Sequence, residues 1–210
     1  MERDEVLRNI VQRRIRNLNL MGRCMGMGIL ICGLNGAGKS TLGKALAEKL
    51  NYIFIDVEDL YFPKTDLNYI YASPRTREEV VKFLLDEIKA NDNFVFTSVK
   101  GDYGETIYPF FQHIVVIDVS KDIRLQRVKN RSFQKFGNRI LPDGDLYEQE
   151  KRFFDFVESR DENTVEEWVK NIECPIIRVD GTKPIEENIS YIIKQISKCN
   201  LACSLHKNEE

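Results

Sequence analysis

Histidine is nearly absent from this sequence: His113 and His206 are the only two among 210 residues. That scarcity argues against a His-based metal cluster or a catalytic triad, and His113, beside an apolar run, reads as structural. The five cysteines (Cys24, Cys32, Cys174, Cys199 and Cys203) are odd in number and form no C-x-x-C pair. They therefore make neither a disulfide framework nor a zinc site and read as reduced thiols. No apolar run approaches the ~20 residues that span a bilayer, and the first one, 28–32, is too short for a signal-peptide core. Charge of one sign is lacking too. Lys and Arg number 31 against 33 Asp and Glu, a net charge of −2. Nothing global draws the chain to nucleic acid or to an anionic membrane. The expectation is a cytoplasmic protein, monomer or homodimer, with no nucleic-acid or membrane partner.

What is present is a glycine-rich stretch, Gly33-Leu34-Asn35-Gly36-Ala37-Gly38-Lys39-Ser40-Thr41. An apolar run, 28–32, precedes it and a helical pattern, 42–50, follows it. The order strand, loop, helix is the context required by G-x-x-x-x-G-K-[ST]. Glycine lets a phosphate approach the backbone and lets several N–H groups surround it. The helix that begins near Lys39 directs its positive end at the same anion. Lys39 can then reach the terminal phosphates and Ser40 can ligate Mg²⁺. The loop thus implies that a nucleoside triphosphate, with Mg²⁺, is held over residues 33–41.

Five short apolar segments alternate with helical ones: 28–33, 52–55, 94–99, 114–119 and 175–179. Alternation of this kind predicts an α/β fold, a parallel sheet with right-handed crossovers and helices on both faces. Helices are predicted over 42–50, from Ser73-Pro74 (Ser as N-cap, Pro at N1) to about 88, over 105–111, over 122–136, over 146–171 with a break near Asp161-Glu162-Asn163, and from 185. Residues 2–19 read as an amphipathic helix; Glu2, Asp4 and Glu5 argue against a transit peptide. The chain divides into an N-terminal helical extension (1–27), one domain (28–198) and a tail (199–210).

Ligands of such sheets bind beyond the carboxyl ends of the strands. That rim carries Asp56, Glu58 and Asp59 after the second strand, and Asp102 after the third. A hydroxyl acceptor of a phosphoryl group needs a carboxylate to orient it and take its proton. Asp56, at the strand end, or Glu58 can serve as that base or help organise Mg²⁺. Arg127 and Arg131 are four apart, so a helix sets them on one side, where guanidinium groups can stabilise the moving phosphoryl group. Arg75 hints at an anionic acceptor, and Asp59 and Asp102 are further acceptor contacts.

With these residues in view, the chain resembles the P-loop small-molecule and nucleoside-monophosphate kinases, the group that contains adenylate kinase and shikimate kinase. The likeness rests on 33–41, on Asp56-Val57-Glu58 (similar to the D-x-D of shikimate kinase), on Leu125-x-Arg127-x-x-x-Arg131 and on Asp180-Gly181-Thr182-Lys183-Pro184. It implies a three-layer P-loop NTPase fold with strand order 2-3-1-4-5, an acceptor-binding segment (57–92) and a lid (131–152). It also implies that Arg127 flanks the adenine, that Arg131 and the lid residue Arg139 reach phosphates, and that Gly181, Thr182, Lys183 and Pro184 lie against the base. The D-G-[FY]-P-R segment of adenylate kinases is missing after the third strand, as are zinc-binding lid cysteines. The expected activity is ATP- and Mg²⁺-dependent phosphotransfer to a small metabolite or a nucleoside hydroxyl. A nucleoside-monophosphate kinase is the alternative within the class, and a nucleotide-binding regulator or ATPase without an acceptor is the alternative outside it. No N-K-x-D follows the fourth strand, which disfavours a GTPase.

Overall fold

A computed structural model describes residues 26–66 and 68–206, with side chains up to residue 199. The amphipathic helix expected over 2–19, and most of the extension 1–27, therefore lie outside the described residues. Strand β1 (Gly28–Cys32) runs into the phosphate loop and helix α1 (Lys39–Leu50). There follow β2 (Ile53–Asp56), α2 (Val57–Tyr61), α3 (Arg77–Ala90) and β3 (Phe94–Ser98). A 3₁₀ turn (Tyr108–Phe110) leads to β4 (Phe111–Asp118), then α4 (Lys121–Phe136), a second 3₁₀ turn (Gly137–Ile140) and α5 (Tyr147–Ser159). The chain ends in α6 (Thr164–Val169), β5 (Ile176–Asp180) and α7 (Ile185–His206). The strands form one sheet in the order β2-β3-β1-β4-β5, and all four pairings are parallel.

The period-2 alternation of a strand distributes the core. Ile29 and Ile31 point to the face covered by α1 and α7, among Leu42, Leu46, Val115, Ile189 and Ile192. Leu30 and Cys32 point to the other face, among Leu84, Ile88, Phe96, Phe111 and Val165. Both faces of β1 are closed to solvent, so its sequence is apolar throughout. His113 lies buried within β4, as its apolar neighbours implied.

Four elements depart from the sequence expectation. Helix α3 starts at Arg77, not after Ser73: Thr76 caps it and closes a capping box with Glu79, satisfying two backbone donors at once. The acidic stretch after β2 is a helical turn, α2, capped by Asp56. Over 105–111 only a 3₁₀ turn forms and β4 begins at Phe111, because Phe111 and Gln112 continue the strand that carries His113. Finally, α7 continues to His206, past the expected start of the tail at 199, since neither Gly nor Pro interrupts 185–206. The expected break near 161–163 is present: Asp161 accepts a hydrogen bond from the Asn163 amide at 2.9 Å, and α5 and α6 stand as separate helices. Among the described residues, no helix is long and apolar enough to cross a membrane.

Leu46 is fully enclosed between the sheet and α7. Leu46→Ala is expected to cost about 2–5 kcal/mol, whereas Thr76→Ala, which removes only the cap of α3, is expected to cost about 1 kcal/mol. Urea unfolding followed by circular dichroism measures both.

Candidate functional site

The phosphate loop owes its shape to local backbone demands. Gly36 and Gly38 have φ of +83° and +101°, a region that disfavours any side chain. At Gly36 space is limiting as well: a Cβ there would lie 2.3 Å from the Arg124 carbonyl oxygen. The Gly33 amide donates to the Val99 carbonyl at 3.2 Å and the Ala37 amide to Leu34 at 3.1 Å, which fasten the loop to β3 and to itself. Within this curve Lys39 is half-buried and donates to the Leu34 carbonyl at 3.1 Å. Burial lowers its pKa to about 8; the charge of Asp56 acts against that shift and those of Arg131 and Arg160 add to it.

Arg124 has no assigned role in the sequence beyond its place in the helix expected over 122–136. In the fold it is 2% exposed and braces the loop from behind. Its guanidinium donates to the Val119 carbonyl (3.1 Å), the Asn35 carbonyl (3.3 Å) and both carboxylate oxygens of Glu162 (2.5 and 2.7 Å). A basic residue just inside a helix that follows a strand end was the one cue available.

A cavity of about 400 Å³ opens in front of the loop. Gly36, Ala37, Gly38, Lys39, Ser40 and Thr41 form one wall; Arg127, Arg131, Gly181, Thr182 and Lys183 form another. The Arg127 guanidinium donates to the Gly181 carbonyl at 3.0 Å, so α4 and the loop after β5 are held together at the cavity mouth. Gly181 must be small here, because a Cβ would approach the Ala37 carbonyl to 2.8 Å and Val119 to 2.5 Å. Pro184 is not in the wall but accepts from the Asn188 amide at 3.2 Å. Buried Asn188 also donates from its side chain to the Asp180 carbonyl at 2.8 Å, closing the loop; it reads in sequence as one polar residue in an amphipathic helix. Ser40 is exposed at the start of α1, a hard oxygen donor of the kind Mg²⁺ takes. Among the described residues no group of three or more His, Cys, Asp and Glu is arranged to hold a metal unaided. The donor set therefore fits a cation that arrives with phosphate oxygens rather than one held by protein alone.

The acceptor-side residues fall into two groups. Asp56 caps α2 by accepting from the Glu58 amide at 3.0 Å, and its charge acts on Lys39. Glu58 stands 3.8 Å from the Arg131 guanidinium and accepts from the Tyr71 hydroxyl at 2.7 Å. Glu58 thus stands beside Arg131, which lines the nucleotide cavity, and Asp56 lies within electrostatic reach of Lys39. The remaining residues point elsewhere. Asp59 is exposed and paired with Lys64. Arg75 is spent on the Leu60 carbonyl (2.7 Å) and on the face of Phe83 (4.5 Å). Asp102 is paired with Arg77 (3.1 Å) and Lys100 (3.2 Å). Arg139 does not extend toward the phosphate loop; it donates to Asp145 (2.6 Å) and to the Asn68 carbonyl (3.0 Å). Each of the four is engaged by another residue of the chain, some near in sequence (Lys64, Lys100, Asp145) and some distant (Leu60, Arg77, Asn68).

Comparison with known proteins agrees with this architecture. A protein of Bacillus subtilis (strain 168), "Uncharacterized protein YqaC", is 26% identical over 181 residues, which cover 82% of this chain and 99% of that protein. The shikimate kinase of Enterococcus faecalis is 23% identical over 186 residues, 81% of this chain and 98% of its own length. The crystal structure of a gluconokinase from Sinorhizobium meliloti 1021 shares the fold with a TM-score of 0.54 at 18% identity, covering 90% of this chain and 100% of that one. The family model described as an AAA domain matches residues 29–139, from β1 through the arginine-bearing helix. Because that match spans more than half of the chain, the protein belongs to the AAA domain family.

Proposed function

We propose that this protein transfers the γ-phosphoryl group of ATP, with Mg²⁺, to a hydroxyl of a small metabolite or nucleoside. The observation that carries the reading is the Arg131–Glu58 pair at 3.8 Å, which joins a carboxylate of the acceptor side to a cation lining the nucleotide cavity. Phosphoryl transfer makes little covalent demand on a protein and depends on positioning and charge. In this reading the glycine loop and the N-terminus of α1 bind the phosphates, while Arg127, fixed by the Gly181 carbonyl, borders the base. Lys39 and Arg131 meet the charge that spreads over the transferred group. Asp56, whose field already acts on Lys39, takes the acceptor proton, and Glu58 anchors the acceptor hydroxyl. Ser40 would hold Mg²⁺, which when bound neutralises phosphate charge. Residues 57–92 serve as the acceptor segment and 131–152 as the lid. The named relatives support the class: one is a shikimate kinase and one a gluconokinase, both named for hydroxylated small molecules. The occupied states of Arg75 and Arg77 leave neither free for a second phosphate, which favours a hydroxyl over a nucleoside monophosphate.

A panel of hydroxy acids (shikimate and gluconate among them), sugars, nucleosides and nucleotides, assayed by ADP formation from Mg-ATP, should reveal acceptor-dependent turnover. Steady ATP hydrolysis indifferent to every acceptor would sink the proposal in favour of an ATPase or regulator. Asp56→Asn should lower kcat about 10²–10⁴-fold, and Lys39→Ala should abolish turnover while the circular dichroism spectrum is retained.

Lys39 also makes nucleotide binding pH-dependent. Its pKa in the free protein is about 8, below the ordinary 10.5. A bound triphosphate favours the ammonium form, so binding takes up a proton once the pH exceeds about 8, and affinity falls as pH rises through that value. Calorimetric titrations of ATP in buffers of different ionisation enthalpy should show proton uptake at pH 9 and little at pH 7; Lys39→Met should remove the difference.

A further inference from the structure

Between the acceptor segment and the lid lies a group of aromatic rings with titratable side chains threaded through it. Tyr71 stands at its centre. Its ring meets Phe62 edge-on at 5.0 Å, Tyr69 at 5.6 Å and Phe136 at 6.3 Å between centroids. These contacts leave the ring little freedom and direct its hydroxyl. That hydroxyl accepts from the Lys135 ammonium at 2.8 Å and donates to Glu58 Oε1 at 2.7 Å. Lys135 belongs to the last turn of α4 and also sits over the Tyr71 ring at 4.4 Å. A second clasp runs in parallel: Tyr69 donates to Glu150 Oε1 at 2.9 Å, and Glu150, on α5, is 1% exposed. Burial, then the Glu58 charge, push the Tyr71 phenol up, so it keeps its proton and remains a donor.

The two oxygens of Glu58 are thus claimed from two directions. Oε1 takes the Tyr71 hydroxyl, and Oε2 faces the Arg131 guanidinium. Lys135 and Arg131 are four apart on α4 and lie on one side of it, so α4 reaches the carboxylate once directly and once through the phenol. A glutamate with three rotatable bonds has many rotamers; a short charge-assisted hydrogen bond from a fixed ring selects one.

We propose that Tyr71 is a positioning residue: its phenol relays the placement of the lid helix, through Lys135, to the Glu58 carboxylate, so that lid closure sets the group that receives the acceptor. The proposal rests on the reading of Glu58 as the acceptor anchor. It accounts for a lysine, a phenol and a carboxylate joined in series across two segments 64 residues apart in sequence. Neither Tyr71 nor Lys135 touches the nucleotide cavity, so the relay acts on the acceptor and not on ATP.

The test uses the full chain and the panel acceptor with the highest kcat/KM. Tyr71→Phe removes only the hydroxyl and keeps every ring contact; Lys135→Met keeps the apolar stem. Each should raise the acceptor KM about tenfold and leave the KM for ATP within twofold. In a Glu58→Gln background, adding Tyr71→Phe should have no further effect on the acceptor KM, because the relay then has no carboxylate to place. Melting temperatures of all variants report stability separately. A Tyr71→Phe protein that melts lower but keeps the acceptor KM would show a packing role alone and overturn the relay. The same follows if ATP and acceptor KM rise together. If Glu58→Gln is impaired and Tyr71→Phe is not, the relay falls and the kinase reading stands. If Glu58→Gln leaves the acceptor KM unchanged, or no acceptor is found, the relay falls together with the assignment of Glu58.

Discussion

A buried guanidinium holds the centre of this molecule. Arg124 is enclosed where the phosphate loop, the end of β4 and the turn before α6 converge, and its donors reach all three. A cation taken out of water is tolerated only when its hydrogen-bonding groups are met and its charge is paired, and here two carbonyls and a carboxylate do both. The carbonyl of Arg124 in turn abuts Gly36, so the residue determines from one side how tightly the glycine loop can curl. The position of Lys39, the direction of α1 and the shape of the nucleotide cavity all follow from that curl.

Lys39 feels Asp56 on one side and Arg131 on the other, Arg131 faces Glu58, and Glu58 is met by Tyr71. Lys39 and Arg127 donate to the neutral carbonyls of Leu34 and Gly181, bonds that leave their positive charge to meet an anion in the cavity. The partial burial that lowers the pKa of Lys39 is what a triphosphate would relieve. All of these groups stand beyond the carboxyl ends of β1 to β5, where the parallel topology opens the crevice beside the central strand.

The phosphate loop and the strand order were legible in the sequence because each depends on short-range or family-wide rules. A glycine loop needs positive φ at fixed offsets, and a strand buried on both faces needs an unbroken apolar run. Other features were hidden because spacing along the chain does not say which neighbour a charged side chain meets. Arg75 reads as a free cation until the fold brings the Leu60 carbonyl and Phe83 to it. Arg139 reads as a lid residue aimed at phosphate until Asp145 and Asn68 engage it. The start of α3 was local information overlooked: Thr76 and Glu79 form a capping box, and it outweighs the Ser73-Pro74 signal.

Periodicity, glycine placement and loop chemistry are properties of contiguous residues, and they suffice for a parallel α/β protein with a phosphate loop at residues 33–41. Which charges are available and which are spent, the bracing of the site by Arg124 and Asn188, and the series Lys135, Tyr71, Glu58 depend on the packed fold. The Lys135–Tyr71 and Arg124–Asn35 bonds join segments 64 and 89 residues apart, and their distances follow from how the helices pack on the sheet, which no spacing along the chain encodes.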